Sequence, residues 1–383
     1  MTKIEWTERT WNPVVGCKIV SPGCTNCYAM RQAARIEKMN PTRDHAGYVN
    51  PYDGTTEKVN GNVVWTGRVA LAERQLLAPL KRRKPTMYFV NSMGDLFHED
   101  VPVDWIDRVF AVMALCPQHT FQVLTKRSAR MREYASRTND SWHGNAELFA
   151  DRFNSAMDLN YAWIKDIDDM PWPLPNVWLG VSAEDQRRAN ERIPDLLATP
   201  AAVRFASVEP MLGPIDLEQI RTDTGYLDAV GKFIDRDACG LSDDPLAASL
   251  LQAGIESGHA DAPLLPRLDW IICGGESGKG ARPMHPDWAR SLRDQCEAAG
   301  TAFFFKQWGE WTDGQNAGPN PRSIPAAEWF NSKWDYFDQP PSRPDDHFDD
   351  EPDVFRVGKA RAGRLLDGRE WNGMPRRLTE TET

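Results

Sequence analysis

The sequence predicts an α/β fold, a (β/α) barrel of complete or partial TIM-like form. Three observations predict it. Short segments that are apolar on both faces recur along the 383 residues. Segments with helical periodicity lie between them. Polar or charged residues stand directly after the apolar segments, where the active sites of β/α barrels form.

The strand candidates are Val63–Trp65, Met87–Val90, Phe121–Leu124, Val177–Val181, Val203–Ala206, Trp270–Cys273 and Phe303–Lys306, with Trp11–Val15 as a further one. Continuous apolar runs of this length suit parallel strands covered by helices. In the helix predicted over Asp104–Leu115, Ile106, Val109, Phe110 and Met113 fall at i, i+3, i+4 and i+7, between Pro102 and Pro117. A second helix, Ala183–Leu197, takes Ser182 as its N-cap with Asp185 in support. A third, Asp287–Ala299, ends at Gly300, and Tyr28–Met39 also reads as helical. Seven or eight strands favour a barrel, although an open doubly wound sheet satisfies the same alternation.

The pattern places the barrel in residues 1–309, with insertions at about 138–175 and 222–266, and an extension in residues 310–383. Within the extension, Asp335–Asp353 reads as an exposed acidic loop. Leu365–Trp371 reads as a hairpin turning at Asp367-Gly368. There is no internal repeat.

Hydrophobic residues make up 41% and charged residues 26%, enough apolar side chain for a full core in an ordinary globular chain. No apolar run approaches the roughly 18 residues of a membrane helix, and the first nine residues are charged where a signal peptide is apolar. A cytoplasmic protein with no membrane partner is the expectation. The net charge of −10 argues against broad, nonspecific nucleic-acid binding. The run Lys81-Arg82-Arg83-Lys84 is the basic groove candidate, and a solvated loop or helix end is its plainer reading.

Of seven cysteines, Cys17, Cys24 and Cys27 fall within eleven residues, spaced C-x6-C-x2-C. In a cytosolic chain such a cluster favours metal over disulfides. Three thiolates on one loop suit a cubane iron–sulfur cluster whose fourth iron stays open, whereas four protein ligands are usual for electron transfer. Gly16, Pro22 and Gly23 suit a tight loop. Two other readings stand beside it: a structural zinc site, which needs a fourth ligand such as His45 or a distant cysteine, and unliganded thiols. Cys116, Cys273 and Cys296 read as buried packing residues; Cys239 is also scattered.

Asn91-Ser92-Met93-Gly94-Asp95, Thr125-Lys126, Ser182, Glu209, Gly275-Glu276 and Lys306-Gln307 each follow a strand candidate, so all would meet at one rim. Capping accounts for Ser182 and Gly278. It accounts less well for Glu209, Glu276 and Lys306, because charges abutting apolar strands need partners. Gly274-Gly275-Glu276-Ser277-Gly278-Lys279-Gly280 is not a P-loop: three residues rather than four precede Gly-Lys, and Gly280 follows instead of Ser or Thr. His98 reads equally as a catalytic residue or ligand, or as a loop histidine bonded to a neighbouring carboxylate.

The chain resembles a family common in bacteriophages and prophages and known for its three-cysteine motif. The resemblance is carried by Ile4-Glu5-Trp6-Thr7, Thr10-Trp11-Asn12-Pro13, Gly16-Cys17, Cys24-Thr25-Asn26-Cys27-Tyr28-Ala29, the stretch Phe89 to His98, Gln122 to Arg127, Trp178 to Ser182, Ser207 to Pro210, Gly274 to Gly278 and Phe305 to Gly309. That family looks like a distant branch of the radical-SAM enzymes, and it is similar to proteins encoded beside a separate three-Cys-motif partner protein. The resemblance implies a [4Fe-4S] cluster on Cys17, Cys24 and Cys27, with S-adenosylmethionine (SAM) at its open iron. Asn91, Ser92, Asp95, Gly274, Gly275 and Glu276 would then contact SAM or substrate, the glycines letting backbone approach closely. Lys126, Glu209 and Lys306 are the catalytic candidates, the lysines as binders of an anionic group. An electron donor and a small-molecule or nucleotide substrate are the implied partners. The spacing departs from the usual radical-SAM C-x3-C-x2-C, and the aromatic Tyr28 follows the last cysteine instead of preceding it. The other class of function is a zinc- or cluster-stabilised binding module for nucleic acid or protein, to which some of the 15 tryptophans could contribute stacking platforms, although most suit a core.

Overall fold

The computed structural model describes residues 4–39, 49–136, 172–222, 225–231, 266–317, 324–338 and 352–375. Its centre is one parallel sheet of seven strands: β1 (Arg9–Trp11), β2 (Met87–Val90), β3 (Thr120–Thr125), β4 (Val177–Ser182), β5 (Val203–Val208), β6 (Trp270–Gly274) and β7 (Ala302–Gln307). The spatial order follows the chain order, so each strand pairs with the next. Among the described residues β1 and β7 do not pair, and the curled sheet is a half-barrel, the partial form of the expected fold.

Both faces of the sheet are apolar because both are covered. On the convex side, Tyr88, Val123, Leu179, Val208, Ile271 and Phe305 join the main core. Four helices accompany the sheet: α1 (Tyr28–Met39), α2 (Val103–Ala114), α3 (Gln186–Leu197) and α4 (Pro286–Ala299). The last three contribute Val109 and Phe110, Ile193 and Leu196, and Leu292 and Cys296 to that core. On the concave side, Phe89, Trp178, Phe205, Trp270 and Phe304 form a second core, into which Trp6 inserts 4.7 Å from Phe89 and 6.0 Å from Trp270. Aromatic rings thus pack the inside of the half-barrel, and a cavity opens at its C-terminal mouth. The β7 edge is covered by the C-terminal segment, where Phe305 N–H donates to Trp371 O (3.0 Å) and Gly373 N–H to Phe303 O (2.8 Å).

Several expectations are corrected. Val63–Trp65 is not a barrel strand: Asn62–Trp65 pairs antiparallel with Thr56–Val59. The Asn60-Gly61 turn between them, with both φ positive, is the hairpin signal that the sequence analysis passed over. Trp11–Val15 divides at Pro13: Trp11 pairs with Val90 in the sheet, while Val14–Val15 pairs with Ala70–Leu71. Ser182 ends β4; the N-cap of α3 is Asp185, whose side chain accepts from Arg188 N–H. Asp335–Asp353 is not wholly loop. Strands Ala326–Phe330, Lys333–Phe337, Val354–Arg356 and Trp311–Thr312 build a four-stranded antiparallel sheet on the extension. The two expected insertions fall mostly outside the described residues, as do His45 and Cys239.

The concave aromatic core should carry a large share of stability. Trp270 is fully buried and touches Trp6, Trp178, Phe205 and Phe304. Trp270→Ala is expected to lose about 3–5 kcal/mol in urea unfolding, whereas Tyr226→Ala, at a site 64% exposed, should change stability by no more than about 0.5 kcal/mol.

Candidate active site at the barrel mouth

The cysteine loop begins where β1 hands over to the rim. Gly16 bridges Gly94 in parallel pairing, and Gly16 N–H donates to Met93 O (3.0 Å). A side chain at Gly94 would lie 2.9 Å from Val14 O, so glycine is required for this close pairing. The loop then crosses the mouth, forms a 3-10 turn at Pro22–Cys24, and enters α1 just after Cys27. Cys24 is buried; Cys17 and Cys27 are half-buried, and all three line one cavity of about 280 Å³. Trp6, Phe89 and Leu124 line the same cavity, together with Ser182, Ser207, Glu209 and Lys306 at the strand ends.

Four buried or part-buried carboxylates organise the mouth. Glu184, just past β4, has a fully buried side chain and pairs with Lys126 Nζ (2.9 Å) and Arg192 (2.7 Å). Ser21 of the cysteine loop donates to it as well. A side chain at Gly23 would lie 2.5 Å from Glu184 Cγ, so the loop rests directly on this glutamate. Burial alone would raise the Glu184 pKa, but Lys126, Arg192 and Ser21 hold it down to about 2. Glu276, past β6, accepts from Arg282 (2.6 and 2.9 Å) and from Nδ2 of Asn26 (2.9 Å), the residue just before Cys27. Arg282 also donates to Pro22 O (3.0 Å). Asp95 accepts from Thr125 Oγ1 (2.7 Å), Lys126 N–H (3.2 Å) and Arg127 (3.0 Å). Arg127, so held, lies 3.4 Å from Cys17 Sγ. Glu209 pairs with Lys306 Nζ at 3.0 Å. That pair spans β5 to β7 across β6, and it fits because Gly274 has no side chain: a Cβ there would sit 2.6 Å from Glu209 Oε1.

The structure therefore brings Cys17, Cys24, Cys27, Asn91, Ser92, Asp95, Lys126, Glu209, Gly275, Glu276 and Lys306 to one cavity. Gly274 stands behind it under Glu209. The need for glycine at Gly275 comes from packing: a Cβ would lie 1.9 Å from Trp308 O, where two rim loops cross. Asn91, at φ 57, accepts from Val14 N–H (3.2 Å), while Ser92 O accepts from the Tyr28 hydroxyl (3.1 Å). Lys126 and Lys306 are both held by carboxylates rather than free. The sequence reading overlooked Glu184, Arg127 and Asn26. Arg127 and Asn26 sit inside the quoted motifs, and Glu184 two residues beyond β4 carried the signal of an acid abutting an apolar strand.

The donor set suits a cluster. Three thiols of one loop frame the cavity, whereas Cys116, Cys273 and Cys296 are fully buried in the main core. Among the described residues, no three His, Cys, Asp or Glu side chains converge closely enough to hold a single ion. Burial, then Asp95, pushes the Cys17 thiol up to about 12 against the pull of Arg127, and burial raises Cys27. A bound metal would therefore displace protons. His98 is fully buried on the adjoining loop; its Nδ1 accepts from Asp100 N–H (3.1 Å), and it does not line the cavity.

Glu184 gives a pH test. Its folded pKa, about 2, lies below the ordinary 4.5, so its contribution is complete above pH 4.5 and is lost as pH falls toward 2. The wild-type chain is expected to lose about 3 kcal/mol more than Glu184→Gln across that window, read by denaturant unfolding at stepped pH. Equal slopes in the two proteins would contradict the assignment.

Comparison with known proteins places the chain in a family. No curated protein matches the chain. Among solved structures, it is similar to one described as "Spore photoproduct lyase complexed with dinucleoside spore photoproduct", with 8% identity and a TM-score of 0.27 over 85% of this chain and 66% of that one. A family model covers residues 1–375, and the chain belongs to the family described as "Protein of unknown function (DUF5131)".

Proposed function

We propose that the protein is an iron–sulfur enzyme of the radical-SAM type. Cys17, Cys24 and Cys27 would hold three corners of a [4Fe-4S] cluster. The observation that carries this reading is the placement of three thiols of one loop on a cavity at the C-terminal mouth of a parallel half-barrel, with every other described cysteine withdrawn into the core. Such a cluster, when bound, supplies a single electron for the reductive cleavage of SAM. The remaining work belongs to the chain's own residues. Glu209 has a second oxygen for a cationic sulfonium or amino group, and Lys306 retains N–H groups for an anionic one. Ser182 and Ser207 add neutral donors beside them. Arg127 places a positive charge against Cys17, and the aromatic floor excludes water from below.

Anaerobically prepared protein is expected to carry about four irons and four labile sulfides per chain, and under reductant with SAM it should release 5′-deoxyadenosine. Cys17→Ala, Cys24→Ala and Cys27→Ala should each lose the iron, while Cys116→Ala, Cys273→Ala and Cys296→Ala keep it. Stoichiometric zinc without sulfide would overturn the proposal. Glu209→Gln is expected to keep its iron and to weaken SAM binding about tenfold or more by calorimetry. Unchanged affinity with lower thermal stability would make Glu209 purely structural.

A further inference from the structure

Helix α1 leaves the cysteine loop with two unlike faces. Ala29, Met30 and Ala33 are buried against Trp65 and its hairpin. The opposite face carries Tyr28, Arg31, Gln32, Arg35 and Lys38, all exposed. Positions 28, 31, 35 and 38 follow the i, i+3, i+7 and i+10 spacing of one helix face, so Tyr28 and three cations form a single stripe. The stripe starts at the cavity, which Tyr28, a residue 48% exposed, helps to line. Across the mouth, Arg31 lies against Gly278, where a Cβ would come within 2.8 Å of its guanidinium. Lys279, also exposed, extends the stripe there. Among the described residues, none of Arg31, Arg35, Lys38 and Lys279 has an ion-pair partner. The helix's one acid, Glu37, is turned to the other side, where it accepts from Gly54 N–H. The chain has a net charge of −10, yet among the described residues these four cations stand together without an ion pair, the Glu310 carboxylate beside them accepting from Gly278 N–H (2.9 Å). By contrast, Lys81-Arg82-Arg83-Lys84 precedes β2 and so lies at the opposite end of the sheet from the cavity.

We propose that this face docks a single-stranded polynucleotide, with its phosphates on Arg31, Arg35, Lys38 and Lys279 and one base delivered past Tyr28 into the cavity. From Arg31 to Lys38 the helix advances roughly 10 Å, about three nucleotides of one strand at its stacked rise. A row of cations ending in an exposed aromatic ring is the chemistry that tracks a backbone and stacks a base. The cavity, about 280 Å³, takes a base and not a duplex. The proposal rests on the enzyme reading only in making the polynucleotide its substrate class; docking itself requires no cluster.

The test is fluorescence anisotropy of the full chain with labelled single-stranded DNA and RNA of about 15 nucleotides, across a range of salt. The wild type is expected to bind at low salt. The variant Arg31→Gln/Arg35→Gln/Lys38→Gln should weaken binding about tenfold or more and reduce the salt slope by about 2. Arg35→Gln/Lys38→Gln, confined to exposed positions away from the mouth, should weaken it in the same direction, and Lys81→Gln/Lys84→Gln should leave it unchanged. Absence of binding to either strand, an unchanged affinity in the folded α1 variants, or binding of phosphatidylserine vesicles in place of oligonucleotides would overturn the proposal. Iron content of the same samples separates the two readings. Binding without iron keeps the docking face and removes the cluster; iron without binding does the reverse.

Discussion

The buried Glu184 carboxylate is the contact on which the site depends. It lies under the cysteine loop, accepts from Ser21, and leaves space only for glycine at position 23. Its charge is compensated by Lys126 and Arg192, without which burial of a carboxylate in this position would be strongly unfavourable. Glu276 holds the other limb of the loop through Asn26 and Arg282. Together the two glutamates fix a loop with little secondary structure of its own across the mouth of the half-barrel. The three thiols are thereby held on the wall of one cavity.

The same logic runs around the rim. Asp95, Glu184, Glu209 and Glu276 follow four different strands, and each is met by a cation from a neighbouring element. Such pairs are costly to bury and are retained where geometry matters. Here they set side-chain direction: Asp95 aims Arg127 at Cys17, and Glu184 keeps Lys126 beside the loop. The glycines complete the arrangement by allowing contacts that a side chain would block. Gly274 lets Glu209 reach Lys306, and Gly275 lets the β6 and β7 loops cross.

Much of the fold was legible because its signals are local. Six of the seven sheet strands appear as apolar runs, α2 shows its periodicity between two prolines, and α4 ends at its Gly300 cap. β1 was obscured by Pro13, which divides one apolar run between two sheets. The sheet of the extension was obscured because its strands are short and half-exposed, and because Trp329 and Trp334 pair across a turn whose φ values are positive at Asn331 and Ser332, residues that do not announce it as Asn-Gly does. At the site, the cysteines and the strand-end acids could be read from spacing and from the need of buried charges for partners. Which cation meets which acid could not, since Glu184 and Ser21 are 163 residues apart and only the tertiary fold brings them together. Glycine positions were visible, but their reason, the crossing of two rim loops, was not.

Electron paramagnetic resonance of the anaerobically reduced protein, recorded before and after addition of SAM, tests the central claim most directly. A cluster held by Cys17, Cys24 and Cys27 with an open fourth iron should give a low-temperature signal whose g values shift when SAM is added. A protein silent under reductant, or a cluster signal indifferent to SAM, would contradict the account.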